Sequence, residues 1–310
     1  MKRVLSLFCL GVLVILASSS QVSASNSTPG EDVKIIIQTD GTTRPLVEQI
    51  SRLGGNITFA YQNLPVLAVE LPSDVLGRIY NHPNVIRIAK DHPLTLLDST
   101  KAEGSTSPRD VYTLDASGFV VSSLDPSSIN TQISPQGYGG FVDSGAYPIW
   151  ETGQYGSGSV VAVVDTGTVP NACLQHAVIG APGFPEGYNA TGDDIPATDP
   201  SNQWHGTHIG GIIASACALD FSLHPDDPLN QAVSTYLSWK NNWIPIFGQA
   251  PASQIYPVKI FEAGEDSTST AIVLDALDHI LSLKRTGAVS YTHLTLPTKC
   301  RKWGSRWGGG

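Results

Sequence analysis

Basic charge is scarce in this chain of 310 residues, which carries 18 lysines and arginines against 27 aspartates and glutamates, a formal net charge of −9. So acidic a chain does not suit the phosphates of a nucleic acid or an anionic membrane surface. Ordinary surface charge explains the same balance, so the charge excludes partners without naming one. Charged residues make up 15% of the chain and hydrophobic residues 41%, which is typical of a compact globular protein.

Long hydrophobic runs are also rare, and the clear one lies at residues 4–17. Lys2 and Arg3 precede it and the small-residue sequence VSA at 22–24 follows it, which is the three-part pattern of a secretory signal peptide. The run is short for a membrane span, and an uncleaved anchor is the alternative. We therefore predict a signal peptide at residues 1–24, a secreted protein and no membrane contact in the mature form.

Cysteine is sparse, with four residues in the chain. Cys9 leaves with the predicted signal peptide, and Cys300 lies in an unusual tail described below. Cys173 and Cys217 remain, and an exported protein with two cysteines is able to form one disulfide bond. Two unpaired, buried thiols are the alternative.

The first region after the signal peptide, residues 33–98, has the periodicity of a small α+β domain. Strand-like runs and helical spacing alternate along it, at 33–39, 44–53, 56–61, 66–71, 72–80 and 84–90. The resulting order βαββαβ is that of the ferredoxin-like fold. An RNA-binding version of this fold would carry aromatic pairs on its central strands and a basic face, and neither is visible.

The rest of the chain divides into a linker and an α/β region. Residues 99–140 are rich in Ser, Asp, Pro and Gly, which indicates a linker or a loosely ordered arm. Within residues 141–287, strands are predicted at 159–164 and 254–261, and helices at 206–216 and 268–283. This alternation predicts an α/β fold with a doubly wound parallel sheet.

The sequence VVAVVDTG at residues 160–167 places Asp165 just past the carboxyl end of a buried strand. In open α/β sheets, functional sites form at this edge. An aspartate that merely caps the following turn is the alternative, because aspartate is common in turns.

The sequence WHGTHIGG at residues 204–211 places His205 at the start of a predicted helix, followed by small residues that permit close packing. His205 and His208 are three residues apart and could face one way to bind a metal. A zinc-protease helix would carry a glutamate in the pattern His-Glu-x-x-His, and none is present, so we predict no metal site. We expect His208 to be a packed, hydrogen-bonded core residue.

Together the two motifs resemble the Asp and His boxes of the subtilisin-like serine proteases, the subtilases. The sequences AYPIW at 146–150, GQAP at 248–251 and IYPVKI at 255–260 resemble the segments that flank these boxes. The resemblance implies that Asp165 orients and stabilises the histidine and that His205 is general base and then general acid. It also implies a peptide-binding segment that consists of Phe261, Ala263, Gly264, Glu265, Asp266 and Ser267.

The resemblance also assigns the other parts of the chain. Residues 33–98 are similar to the family's inhibitory propeptide, which is an intramolecular partner and folding chaperone of the protease domain. No cofactor is expected, although calcium is possible in the parent enzyme. In the family, calcium often ties the loop after the Asp strand to the loop after the His helix. Cys173 and Cys217 stand at those positions, and we expect a disulfide in place of the metal.

The C-terminal end departs from the family pattern. The oxyanion-hole Asn, the Ser-Leu-Gly strand and the Gly-Thr-Ser-Met-Ala nucleophile box of the family are absent from the sequence. Residues 289–298 resemble a translated sequencing adaptor, so we interpret residues 288–310 as adaptor read-through, with a genuine divergent C-terminus as the alternative. We predict the N-terminal fragment of a secreted serine endopeptidase with a partial subtilisin-type sheet, inactive by itself. A secreted propeptide-like inhibitor or an inactive protease remnant is the alternative.

Overall fold

The structure is a computed structural model that describes residues 31–96, 120–124, 144–199, 204–236, 242–287 and 291–294. The chain divides into two compact units. The first comprises Met1–Leu94 with Ser267–Ser282, and the second comprises Thr95–Asp266 with Leu283–Gly310. The predicted signal peptide at residues 1–24 lies outside the described residues.

The first unit is built on a four-stranded sheet of β1 (Asp32–Thr39), β2 (Asn56–Ala60), β3 (Val66–Pro72) and β4 (Val85–Lys90). The spatial order is β2-β3-β1-β4, and all neighbours are antiparallel. Helix α1 (Arg44–Arg52) joins β1 to β2, and a 3-10 turn (Ser73–Val75) leads into helix α2 (Leu76–Tyr80) before β4. The element order βαββαβ agrees with the sequence prediction.

Alternation along its strands gives this sheet two apolar faces. Ile35 and Ile37 of β1 lie in one core with buried residues of α1 and α2, among them Ile50 and Ile79. Ile36 belongs to the opposite face, in a second buried cluster that also contains Val66, Ala68, Ala89, Ala271 and Leu274. The last two residues belong to helix α6 (Thr270–Thr286), so this helix covers the second face.

Asp278 of α6 holds the loop between β2 and β3. Its carboxylate accepts hydrogen bonds from the backbone N–H groups of Gln62 (2.8 Å), Asn63 (2.7 Å) and Leu64 (3.0 Å). The Asn63 side chain donates in turn to the Asp278 carbonyl oxygen (3.0 Å). Because Asp278 is only 7% exposed, these donors compensate for the water that its carboxylate has lost.

Two short strands, β5 (Pro93–Thr95) and β12 (Ser267–Ser269), form a separate pair. The backbone N–H of Thr270 donates to His92 O (3.1 Å), and that of Leu96 donates to Asp266 O (2.7 Å). The strands therefore run in opposite directions. No strand was expected at residues 93–95, because three residues are too few for a periodic pattern.

The second unit contains a parallel sheet of β7 (Val160–Asp165), β8 (Tyr188–Asn189), β11 (Gln254–Lys259) and β13 (Tyr291–Leu294). The order is β13-β7-β11-β8 with parallel neighbours, which confirms the α/β fold class. Strand β13 lies within the segment that we interpreted as adaptor read-through. Its backbone pairs with Val161–Val164, and the read-through interpretation stays a prediction.

An antiparallel sheet of β6 (Val120–Ser123), β9 (Ala216–Asp220) and β10 (Trp243–Phe247) completes the strands of this unit. Residues 120–123 were expected to be part of a linker, but they pair with β9. The other residues of the predicted linker, 99–119 and 125–140, lie outside the described part of the chain. The predicted helix at 206–216 is α4 (His205–Ala214), and the last residue of that prediction, Ala216, is instead the first residue of β9. The short helices α3 (Ala146–Trp150) and α5 (Pro228–Tyr236) flank these strands in sequence.

None of the helices in the described ranges is both long and apolar enough to cross a membrane.

Candidate active site

Asp165 is the last residue of β7 and is completely buried. The preceding residues, Val161–Val164, are buried as well, because the strand lies inside a parallel sheet. The backbone N–H of Thr166 donates to Asp165 Oδ1 at 2.7 Å. The strand thus delivers a carboxylate to the carboxyl edge of the sheet, where the sequence prediction expected a site.

His205 is the first residue of α4, and its imidazole meets this carboxylate. Nδ1 lies 2.7 Å from Asp165 Oδ1 and 2.9 Å from Oδ2. The His205 side chain is 39% exposed, whereas the Asp165 side chain is fully buried. The buried acid therefore holds one edge of a ring whose remaining surface reaches solvent.

Glycine at position 206 is what allows this approach. A Cβ on Gly206 would lie 2.1 Å from the carbonyl oxygen of Gly167 and 3.1 Å from Asp165 Cβ. The backbone N–H of Gly206 donates to Thr166 Oγ1 (3.0 Å), and the Thr207 hydroxyl accepts from Val169 N–H (3.0 Å). The helix start is therefore fixed against the loop that follows β7, and this orients His205.

The arrangement has a definite chemical capacity. An ionised Asp165 accepts the Nδ1 proton of His205, which leaves the Nε2 lone pair of a neutral ring to take a proton from a reacting group. The carboxylate then stabilises the imidazolium that forms. The pair is thus equipped for general base and general acid catalysis.

His208 does not occupy the position that we expected, because it is exposed rather than packed in the core. The buried residues of α4 are Gly206, Thr207, Gly210 and Ala214. The packed face follows a spacing of four residues through positions 206, 210 and 214, and position 208 lies away from it. Within the described residues, no group of three or more His, Cys, Asp or Glu side chains is placed to hold a metal ion.

Cys173 and Cys217 form a disulfide bond, with their Cα atoms 4.7 Å apart. This separation lies within the range usual for disulfides. The bond ties the loop after β7 to β9, the strand that follows the His205 helix. Both positions at which the family resemblance would put a calcium tie are therefore occupied by bonded sulfur, and these residues do not suit a calcium ion, which prefers oxygen ligands.

The predicted peptide-binding segment differs in exposure along its length. Phe261 is only 1% exposed, so its ring lies inside the protein rather than on a surface open to a ligand. Ala263 and Asp266 are half-buried, while Gly264, Glu265 and Ser267 are exposed. Gly264 has φ +82°, a left-handed conformation that favours glycine. The Asp266 carbonyl is the group that accepts the Leu96 N–H.

Lys259 and Asp193 were not expected at the site. Together they connect the end of β11 to the predicted peptide-binding segment. Lys259 ends β11 in register with Asp165 of β7, and its side chain is fully buried. Its Nζ donates to both carboxylate oxygens of Asp193, 2.6 Å from Oδ1. The available sequence signal was a lysine within an apolar strand, because a buried ammonium requires a counter-ion.

Asp193 collects further hydrogen bonds around this ammonium. It accepts from Asn189 Nδ2 (2.7 Å), Ile195 N–H (3.1 Å) and Ala263 N–H (3.2 Å). Burial acts to raise the pKa of Asp193, but the hydrogen bonds, led by that from Lys259, outweigh burial and lower the pKa to about 2. Asp193 is therefore ionised at all ordinary pH values.

Comparisons relate this chain to known proteins. Residues 156–293 match the family model described as "Subtilase family". The chain is similar to a thermostable alkaline protease of Halalkalibacterium halodurans, with 22% identity over 265 residues that span 84% of this chain and 52% of that protein. It therefore spans about half the length of this curated relative.

The chain is also similar to proteins of solved structure. The chain is similar to the epidermin leader peptide processing serine protease of Staphylococcus aureus, with a TM-score of 0.50 and 13% identity over 86% of this chain and 51% of that one. It is also similar to fervidolysin of Fervidobacterium pennivorans, a keratinolytic enzyme related to subtilisin, with a TM-score of 0.47 and 17% identity over 90% of this chain and 39% of that one. At 13% identity, the likeness to the Staphylococcus aureus protease concerns the fold alone.

Proposed function

We propose that this chain, whose residues 156–293 match the subtilase family model, is the N-terminal part of a secreted serine endopeptidase. The observation that carries the proposal is the contact between the buried Asp165 carboxylate and His205 Nδ1. The substrate is a protein or peptide, and no cofactor takes part. Secretion is supported by the signal-peptide pattern of residues 1–24.

In the parent enzyme, Asp165 and His205 supply two members of an Asp-His-Ser triad. His205 Nε2 takes the proton from the serine hydroxyl as the serine attacks the peptide carbonyl carbon, and returns that proton to the leaving amine. Asp165 keeps the proton-bearing Nδ1 oriented and stabilises the charged ring. The substrate runs as an extended strand along the segment from Ala263 to Ser267, held by main-chain hydrogen bonds.

The 310 residues contain neither the serine box nor the oxyanion asparagine of the family, so this chain by itself is inactive in our proposal. Without the serine, His205 has no nucleophile to activate. Without the oxyanion donor, a further transition-state contribution of about 3 kcal/mol is missing. The chain spans about half the length of these two relatives, and this supports the proposal that it is a fragment.

The experiment follows the coding DNA beyond codon 287 and expresses the extended protein. We expect a Gly-Thr-Ser box downstream and hydrolysis of casein by the extended protein. His205→Ala lowers kcat by about 10⁴-fold or more, because the general base is lost. His208→Ala is the matched control, since His208 is exposed three residues away on the same helix, and it leaves kcat unchanged.

Two outcomes would contradict the proposal. One is an extended protein whose hydrolysis of casein survives His205→Ala. The other concerns the present chain alone: peptidase activity of purified residues 25–310, abolished by His205→Ala, would refute the proposed inactivity.

One observation favours a second candidate function, a propeptide-like protease inhibitor. Residues 92–96 lie as a strand along residues 266–270, with hydrogen bonds from Thr270 N–H to His92 O and from Leu96 N–H to Asp266 O. Within this contact, Leu96 donates to Asp266, a residue of the proposed substrate segment, as a bound peptide would. If this is the function, a protein of residues 25–98 inhibits a related subtilase, and a genuine stop codon follows codon 310.

A further inference from the structure

We propose that Asp193, held by the buried Lys259, is a positioning residue for the peptide-binding segment, Phe261 and Ala263–Ser267. The inference rests on the proposed function, because it concerns the segment along which the substrate strand would lie. It adds a residue that lies outside the resemblance motifs and is 72 positions before the turn at Glu265.

The first step is the burial of Lys259. Its side chain is fully buried at the end of β11, between β7 and β8. A buried ammonium without a partner is strongly destabilising, so Asp193 and Lys259 form a unit that the fold needs as a pair. The Asp193 side chain is 21% exposed and stands at the outer side of this pair.

The second step is that the Asp193 carboxylate also accepts hydrogen bonds from groups other than Lys259. Asp193 Oδ2 accepts the backbone N–H of Ala263 at 3.2 Å, while Oδ1 accepts Ile195 N–H and the Asn189 side chain. One charged group therefore links the end of β11, the loop after β8 and the peptide-binding segment. Hydrogen bonds to an ionised acceptor are stronger than neutral ones, which makes Asp193 an effective anchor.

The third step leads from Ala263 to the bound strand. Ala263 is the second residue of a turn in which Glu265 N–H donates to Glu262 O (3.0 Å), with Gly264 at φ +82°. Asp266 follows this turn directly, and its carbonyl accepts Leu96 N–H at 2.7 Å. Anchoring Ala263 therefore fixes where the turn ends and where the Asp266 carbonyl can accept a hydrogen bond from an extended peptide.

A competing interpretation is that the pair only neutralises its own charges. The two interpretations separate in a double variant, Asp193→Leu with Lys259→Met, because replacing a buried ion pair with apolar side chains keeps stability or raises it. Charge neutralisation alone predicts that the variant loses the direct hydrogen bond to Ala263 N–H but leaves the Leu96 amide unchanged. Positioning predicts that the turn and the strand contact loosen although the fold is kept.

The experiment measures residue-resolved amide hydrogen exchange of the full chain together with its thermal midpoint. In the double variant we expect Ala263 and Leu96 to exchange about tenfold faster or more. The midpoint and the exchange of Ile255, whose N–H donates to Ala177 O, stay unchanged. Asp194→Leu is the matched control, because Asp194 is the exposed neighbour of Asp193, and it changes neither amide.

A second variant tests rescue. Asp193→Asn with Lys259→Met keeps an oxygen that accepts the Ala263 N–H, so most of the protection of Ala263 and Leu96 returns. The proposal is overturned if the leucine variant leaves the Leu96 amide protected, if Ile255 accelerates equally with Leu96, or if the asparagine variant restores no protection. Amide exchange does not require catalysis, so this experiment is independent of the peptidase assay. If the peptidase assay fails, the exchange result still tests the positioning role of Asp193, and the reverse also holds.

Discussion

The two units of the chain are stabilised by different kinds of contact. In the first unit, isoleucine, leucine and valine side chains fill both faces of the sheet, and Ile37, Leu46, Ile50 and Ile79 are completely buried. In the second unit, the region around His205 depends on specific contacts: a disulfide, a buried ion pair and a glycine that touches backbone. The first unit therefore depends on apolar periodicity, whereas the second depends on single residues whose replacement removes a specific contact.

Tryptophan offers a way to observe the units separately. None of the six tryptophans of the sequence lies in Met1–Leu94 or Ser267–Ser282, and the described ones, Trp150, Trp204 and Trp243, belong to the second unit. Tryptophan fluorescence reports on that unit, and amide exchange of Ile36 and Ile37 in β1 reports on the first. The following changes test whether single contacts act on the unit that contains them.

The largest effect is expected from the disulfide. Replacing Cys173 and Cys217 together with alanine removes a cross-link between residues 44 positions apart in sequence. The restriction that this cross-link puts on the unfolded chain corresponds to about 4 kcal/mol. We expect the free energy of unfolding measured by tryptophan fluorescence in guanidinium to fall by this amount.

A reducing agent is the control for this prediction. It should lower the stability of the wild-type chain to that of the double alanine variant and leave the variant unchanged. If the free energy that protects the β1 amides from exchange falls as much as the free energy of unfolding measured by fluorescence, the contrast between the units is wrong.

The same contrast decides how far sequence reasoning could go. Apolar periodicity predicted every strand and both helices of the first unit's βαββαβ core, because the strands and helices carry their own signals. The observed helix is shorter than the predicted range 72–80, because Ser73–Val75 form a 3-10 turn before α2. Helix α2 ends at Tyr80 after five residues, so spacing over a longer helix does not apply there.

In the second unit, motifs predicted more than periodicity did. Asp165 and His205 were identified by their motifs, and the structure brings them into contact over 40 positions of sequence. Strand β6 could not be predicted, since its pairing with β9 depends on a partner almost 100 residues away. Asp193 could not be assigned either, because a polar loop residue shows its role only when the buried Lys259 is placed beside it.

The second prediction concerns the first unit and pH. Burial lowers the pKa of His279 to about 4, although nearby Asp278 acts to raise it. The unfolded chain therefore binds a proton at this histidine near pH 6.5, before the folded chain does. Stability contributed by the neutral ring is present above about pH 6.5 and is lost as the pH falls toward 4.

His279→Leu removes this dependence. We expect the protection of the Ile36 and Ile37 amides to fall with pH in the wild-type chain and to stay nearly level in the variant between pH 6.5 and 4. The tryptophan signal of the second unit should show no difference between the two proteins over this interval. An identical pH profile in both proteins would mean that His279 does not titrate in this way.

The smallest change is a single methyl group at the helix that carries His205. In Gly206→Ala the new Cβ meets the Gly167 carbonyl oxygen at 2.1 Å, so backbone must move, and we expect a loss of about 2 to 3 kcal/mol in the second unit. Gly211→Ala is the matched control on the same helix, because a Cβ there meets nothing within 4 Å. It should leave stability level or raise it by about 0.5 to 1 kcal/mol, since alanine favours a helix more than glycine does.

The readout that separates the two alanine variants is the His205 imidazole proton. A short hydrogen bond from Nδ1 to a buried carboxylate shifts this proton far downfield in the NMR spectrum. We expect the signal in the wild-type chain and in Gly211→Ala, and its loss in Gly206→Ala, because the displaced helix start carries His205 away from Asp165. A downfield proton retained in Gly206→Ala would mean that the contact between Asp165 and His205 tolerates a shift of the helix. The second unit would then depend less on single residues than we infer.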